Sequence, residues 1–94
     1  MRVEFHRAAS IEVEDAQAWY EERSFLAASA FLRELSTAIN RIREAPERYP
    51  AEWGARRILF ERFPFTVYYR VGEEVITILA VAHQKRRPGY WRGR

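Results

Sequence analysis

The chain contains no cysteine, so disulfides, thiolate metal ligands and a thiol nucleophile are all excluded. That usage fits a reducing compartment. The four glycines are scattered at positions 54, 72, 89 and 93. Neither a phosphate loop nor a dinucleotide fingerprint can be assembled from them, and no Gly-x-Ser-x-Gly turn is present. The only histidines, His6 and His83, lie at opposite ends of the sequence with no ligand spacing around them. No metal and no cofactor is expected from that pattern. Long apolar runs are also missing. The longest, Val75 to Ala82, is broken by Thr77 and is far too short to span a bilayer. The first residues, Met1-Arg2-Val3-Glu4-Phe5-His6-Arg7, hold no apolar stretch of signal-peptide length. These absences predict a cytoplasmic protein with no membrane partner.

What remains is enough for a globular core. The 94 residues predict one domain, 1–94, in which 48% apolar and 15% aromatic residues supply a modest interior. The net charge of +3 conceals a split. Residues 83–94 carry Lys85, Arg86, Arg87, Arg92 and Arg94 with no acid, a balance of +5. The remaining 82 residues hold 11 basic and 13 acidic side chains, a balance of −2. A local basic patch attracts phosphate or an acidic protein surface. A solvated, frayed tail is the alternative reading.

Hydrophobic periodicity orders the elements. Val3 and Phe5 alternate within Arg2 to His6, which predicts a short strand. A helix is expected from Ala9 to Arg23, with Ser10 as N-cap and Val13, Ala16 and Tyr20 on one stripe. A second helix is expected from Ser24 to Ala45, where Ala28, Phe31, Leu32, Leu35, Ala38, Ile39 and Ile42 recur at helical spacing. Pro46 ends it, because a residue before proline is pushed out of the helical region. Pro50, Glu52 and Gly54 mark a loop. Strand-like runs follow, separated by turns at Pro64 and at Gly72-Glu73-Glu74. The last run, Val75–Ala82, is apolar on both faces and belongs inside the sheet. The predicted class is α+β in the order β-α-α-β-β-β, a helical hairpin packed on a small antiparallel sheet.

Alternation assigns faces. Ile58, Phe60, Phe65, Val67, Tyr69 and Val71 are expected to face the helices. Arg57, Leu59, Glu61, Thr66, Tyr68, Arg70 and Thr77 are left on the other face, which is either an ordinary solvated surface or a phosphate-binding one. One chemistry is open to such residues. RNA cleavage by its own 2′-hydroxyl needs a base, cations for the phosphorane and an acid for the leaving oxygen. Glu61 or His83 are candidate bases, Arg57, Arg70, Arg86 or Arg87 candidate cations. Tyr90 and Trp91 either stack on a nucleobase or clasp the tail to the domain. Ile11, Trp19, Phe25 and Leu26 lie off the main helical stripes, and exposed apolar residues bordered by charge are expected to meet a partner.

Taken together, these segments resemble the RelE/ParE family of bacterial toxins from type II toxin–antitoxin systems. The resemblance rests on Trp19-Tyr20-Glu21, Pro46-Glu47-Arg48-Tyr49-Pro50, Arg56-Arg57-Ile58-Leu59, Arg62-Phe63-Pro64-Phe65-Thr66-Val67-Tyr68-Tyr69-Arg70-Val71, Ile78-Leu79-Ala80-Val81-Ala82-His83 and Arg86-Arg87-Pro88-Gly89-Tyr90-Trp91. It covers essentially the whole chain. It implies a β-α-α-β-β-β toxin neutralised by an antitoxin encoded beside it, in a plasmid-stabilisation-like system. RelE-like members cleave messenger RNA on the ribosome with an Arg and Lys cluster and a C-terminal Tyr. ParE-like members inhibit DNA gyrase and lack that cluster.

Here Thr66 stands where the nuclease members tend to carry a catalytic arginine, and Lys85 is the only lysine. A hydroxyl cannot supply the missing charge to a phosphorane. The resemblance therefore implies a ParE-like inhibitor of DNA gyrase acting by binding, through Lys85, Arg86, Arg87, Tyr90 and Trp91, with Ile11, Trp19, Phe25 and Leu26 meeting the antitoxin. The alternatives are a ribosome-dependent endoribonuclease using Glu61, Arg70, His83, Arg87 and Tyr90, and an inactive member that only binds its antitoxin.

Overall fold

The computed structural model describes residues 1–94. Strand β1 (Arg2–Phe5) leads into helices α1 (Arg7–Glu21) and α2 (Phe25–Glu44), followed by β2 (Ala51–Glu52), β3 (Ala55–Leu59), β4 (Phe65–Val71) and β5 (Val75–His83). The five strands form one sheet in the order β1-β5-β4-β3-β2. β5 lies between β1 and β4, and both its faces are covered, so its apolar residues occur in both parities. The later strands pair antiparallel, but β1 runs parallel to β5 with Val3 opposite Ile76 and Phe5 opposite Ile78, so the sheet is mixed. The parallel pair is made possible by the two helices, which cross over between β1 and the rest of the sheet.

Local chemistry sets the helix ends. α1 starts two residues before the expected Ala9, and its N-cap is His6 rather than Ser10. The His6 ring Nδ1 accepts the Ala8 amide at 3.1 Å, and the Ser10 amide already donates to the His6 carbonyl within the helix. α2 begins as expected. The Ser24 hydroxyl accepts the Ala27 amide at 3.2 Å. It ends at Ala45, whose φ of −152° has left the helical region before Pro46.

The segment read as a loop around Glu52 is a two-residue hairpin. Trp53 (φ 54°) and Gly54 (φ 76°) form its turn and pair Glu52 with Ala55. Positive φ at both turn residues matches the twist of the flanking strands.

The core lies between the helices and one sheet face. Phe31, Leu35, Ala38 and Ile42 of α2 and Ala9 and Ala16 of α1 bury against Ile58, Phe60, Phe65, Val67, Tyr69, Ile76, Ile78 and Val81. Val71 packs against this cluster from its margin. Phe31 sits at the centre of an aromatic group with Tyr20, Phe60, Phe63 and Phe65, at ring separations of 5.2–5.7 Å. The Tyr69 hydroxyl donates to the Pro46 carbonyl at 2.5 Å and so ties the end of α2 to the sheet. No helix is long and apolar enough to cross a membrane.

Candidate functional site

β5 carries a bulge. Tyr68 pairs with Ala80 but Tyr69 pairs with Ile78, so Leu79 is extra. One extra residue reverses the alternation. Ile76, Ile78 and Val81 enter the helix-side core, whereas Leu79, Ala80 and Ala82 pack on the opposite face. The reversal also brings His83 to the helix side, where its ring meets Phe65 at 5.2 Å. His83 thereby enters a cleft of about 410 Å³ between α1 and the start of the tail, whose walls include Asp15, Trp19, Tyr20, Arg86 and Tyr90.

The tail is folded onto the protein. Trp91 is 2% exposed and lies in a second, smaller core with Ala55, Leu79, Ala80 and Ala82. Its ring stacks on Tyr68 with centroids 4.4 Å apart. Trp53 approaches Trp91 from the β2–β3 hairpin at 6.2 Å, and the Arg92 guanidinium lies 4.8 Å from the Trp53 ring. The part of the sheet face around Tyr68, expected to be open, is therefore covered. Trp91, named from the sequence as a target-binding residue, belongs to this interior; its large apolar ring is removed from water by the stack.

Tyr90 is likewise engaged. Its hydroxyl donates to Glu12 Oε2 at 2.6 Å. Burial, then the hydrogen bond to Glu12 and the Glu12 charge, push its phenol well above the ordinary tyrosine range, against smaller opposing effects of Arg86 and Arg94. Arg86 lies over the Tyr90 ring, 3.8 Å from its centroid. Lys85, Arg86 and Arg87 are exposed: the first two lie in a turn closed by the Arg86 amide donating to the His83 carbonyl at 3.0 Å, and Arg87 opens the next, its carbonyl accepting the Tyr90 amide at 3.2 Å.

The candidate nuclease residues converge only in part. Glu61 is exposed on the β3–β4 turn and pairs with Arg41 at 3.3 Å. That turn is held by Glu34, whose carboxylate accepts the Arg62 amide at 3.1 Å. Arg70 sits opposite Thr77, at the far end of β4 from Phe65 and His83. Five residue steps along the strand separate Arg70 from Phe65, about 17 Å at roughly 3.4 Å per step. His83 Nδ1 accepts the Lys85 amide at 3.0 Å. In the neutral ring that bond leaves the proton on Nε2, the tautomer that donates rather than accepts at its outer nitrogen. Thr66 is buried on β4. His83, Arg86 and Tyr90 share the cleft, and with Arg87 they also line a smaller hollow beside the tail. No group of three or more His, Asp or Glu side chains is placed to hold a metal ion.

Ile11, Trp19, Phe25 and Leu26 are all exposed, the last two at 73% and 77%. Trp19, Phe25 and Leu26 cluster around the tip of the helical hairpin, where the Arg23 guanidinium covers the Trp19 ring at 3.6 Å. Ile11 is set apart on α1.

Sequence reasoning gave no role to Glu12 and did not pair it with Arg94. Arg94 Nη1 and Nη2 donate to the two carboxylate oxygens of Glu12 at 3.0 and 3.1 Å. A single acid among many on an amphipathic helix gives no local signal of that pairing.

Against this geometry, a sequence model describing the ParE toxin of the type II toxin–antitoxin system, parDE, matches residues 3–88. Among solved structures, a chain described as the chromosomal ParDE TA system from P. aeruginosa is similar in fold. Its TM-score is 0.76, with 88% of this chain and 95% of that chain covered at 20% identity. No curated protein sequence matches. The family match spans the first strand, both helices and the whole sheet, and it favours the ParE-like branch over the RelE-like one. The chain belongs to the ParE toxin family of type II toxin–antitoxin systems, a membership that implies an antitoxin partner.

Proposed function

We propose that this ParE-family toxin arrests growth by binding its target, with DNA gyrase as that target, and that the Lys85-Arg86-Arg87 turn is the principal contact. The observation that carries this reading is an exposed run of three cations where the tail leaves β5, with Glu61 and Arg70 set apart from it. Arg70 lies at the far end of β4 from His83, Glu61 is turned toward Arg41, and the Tyr90 hydroxyl is committed to Glu12. Three adjacent cations on a turn suit an acidic or phosphate-bearing surface. Gyrase as the target comes from the ParE-like branch that the chain resembles. A specific observation favours the nuclease runner-up: His83, Arg86 and Tyr90 line one cleft.

Induced expression of variants separates the two. Arg86→Ala with Arg87→Ala is expected to weaken growth arrest with the fold intact, and His83→Gln to be milder. Purified toxin is expected to inhibit gyrase supercoiling and to leave a reporter transcript uncut in primer extension. Codon-phased cuts with supercoiling untouched would overturn the gyrase reading.

For the antitoxin, we infer an amphipathic segment whose apolar residues cover Trp19, Phe25 and Leu26 at the hairpin tip, with Ile11 at its margin, and whose acids face the arginines. Co-expression with the neighbouring reading frame and pull-down is the test. A Phe25→Ser, Leu26→Ser pair is expected to lower capture at least about ten-fold, since losing two buried apolar anchors costs a few kcal/mol. Unchanged capture would remove this surface from the interface.

A further inference from the structure

β5 extends beyond its partner β1. The last inter-strand register is Phe5 with Ile78, and the His6 amide then donates to the Ile78 carbonyl before the chain turns into α1. The outer edge of β5 past that point would face solvent with unpaired polar groups. Two side chains satisfy it. Glu12 Oε1 accepts the Val81 amide at 3.0 Å, and Arg94 Nη1 donates to the Leu79 carbonyl, also at 3.0 Å. Glu12 and Arg94 pair with each other, and their side chains are only 14% and 18% exposed. The same carboxylate accepts the Tyr90 hydroxyl. One acid thus joins three segments: α1, the bulged edge of β5 and the tail. A two-pronged arginine–carboxylate pair with further hydrogen bonds, largely shielded from water, is costly to break, because removing one partner leaves the other unpaired.

We propose that Glu12 is the latch of the tail: it holds residues 84–94 against the sheet and, through Tyr90, positions Arg86 beside the cleft. Arg86 rests on the Tyr90 ring, so the Glu12–Tyr90 bond fixes where that cation stands. The consequence for toxicity rests on the proposed role of the cationic turn; the latch itself does not. Glu12 is a positioning residue. The exposed ion pairs elsewhere, such as Arg2–Glu4 with side chains 70% and 49% exposed, offer no comparable hold.

Hydrogen exchange on the full chain tests the latch. Glu12→Gln keeps one oxygen for the Val81 amide but removes the charge and turns an NH2 toward donors. The amides of Tyr90, Arg92 and Arg94, which close the turns of the tail, are expected to exchange about ten-fold faster or more, while those of β4 keep their protection. A second variant, Tyr90→Phe with Arg94→Gln, leaves Glu12 in place and should loosen the same amides. Tail amides at wild-type rates in both variants, or an acceleration shared equally by β4, would overturn the latch. Growth arrest by Glu12→Gln is read separately. Loosened tail amides with toxicity retained would uphold the latch and count against the cationic turn as the target contact.

Discussion

The two faces of the sheet are built on different principles. The helix-side face is an apolar interior in which two amphipathic helices supply alternating residues to a row of alternating strand residues. Its cohesion is area removed from water, which is non-directional and spread over many side chains. The outer face is covered on one side only, by a tail of few residues. Trp91 stacks on Tyr68 there, and a single carboxylate ties the tail's end to α1. Its cohesion is concentrated in one ring and one polar cluster. A distributed interior resists single changes except those that introduce charge, whereas a concentrated one depends on each of its few members.

The sharpest way to break the helix-side face is Leu35→Asp. Leu35 is buried mid-stripe on α2 between Phe31 and Ile39, and an unpaired charge there has nothing to pair with. Total stability of a domain this size is about 5–15 kcal/mol, so loss of the cooperative thermal melt is expected. A melt within a few degrees of wild type would contradict the assigned face.

On the outer face the largest effect belongs to Trp91→Ala. It removes a fully buried ring and is expected to cost about 3–5 kcal/mol in denaturant unfolding. Trp91→Phe should cost less, because it keeps a stacking ring and removes an indole Nε1–H that finds no acceptor. Equal losses would show that the stack contributes little.

Gly89→Ala probes the same face from the backbone. Gly89 has φ +74°, and a Cβ there would lie 2.8 Å from the Trp53 ring and 2.9 Å from Arg92 Cδ. About 1–3 kcal/mol of strain is expected, with the tail loosened before the helices.

Tyr90 gives a pH test. Its phenol is raised by burial and by Glu12, so the folded state holds the proton more tightly than the unfolded chain does. The associated stability is complete below the ordinary tyrosine value of 10.0 and is lost as pH climbs through the folded value. Absorbance titration should show Tyr90 ionising late, beside Tyr20 and Tyr69, whose phenols burial also raises; the Tyr90 contribution should disappear in Tyr90→Phe and move down in Glu12→Gln.

The smallest stability effect is expected for Arg86→Ala with Arg87→Ala. Exposed charges contribute on the order of 0–1 kcal/mol each, so the melt should stay close to wild type while growth arrest weakens. A large loss of stability would mean that the cationic turn itself holds the tail.

The residues of the helix-side face were legible because both periods are visible along the chain. The stripe of α2 and the alternation of β3 and β4 each require the partner surface that the other supplies. The outer face was half legible. Tyr90 and Trp91 stood out as rings, but whether they clasp the protein or face a target is not a local property. Glu12 was invisible as an anchor, since its partners Tyr90 and Arg94 lie 78 and 82 residues away. The hairpin at Trp53-Gly54 was missed because a tryptophan at positive φ lacks the usual Asn-Gly or Asp-Gly signature.

The sequence alone determined the order of both helices and of four of the five strands, the helix face that bears Leu35, the strand residues that meet it and the basic character of the tail. Each follows from periodicity or composition, which neighbouring residues carry in themselves. The tertiary structure decided the parallel placement of β1, the bulge at Leu79 and the seat of the tail. Edge partners of β5 past Ile78 come from α1 and from Arg94, segments that meet only in the folded chain. The bulge reverses the side-chain alternation, so it alone sends His83 into the cleft and leaves Ala80 and Ala82 beneath Trp91. No periodicity encodes a reversal that is stabilised by hydrogen bonds from distant residues.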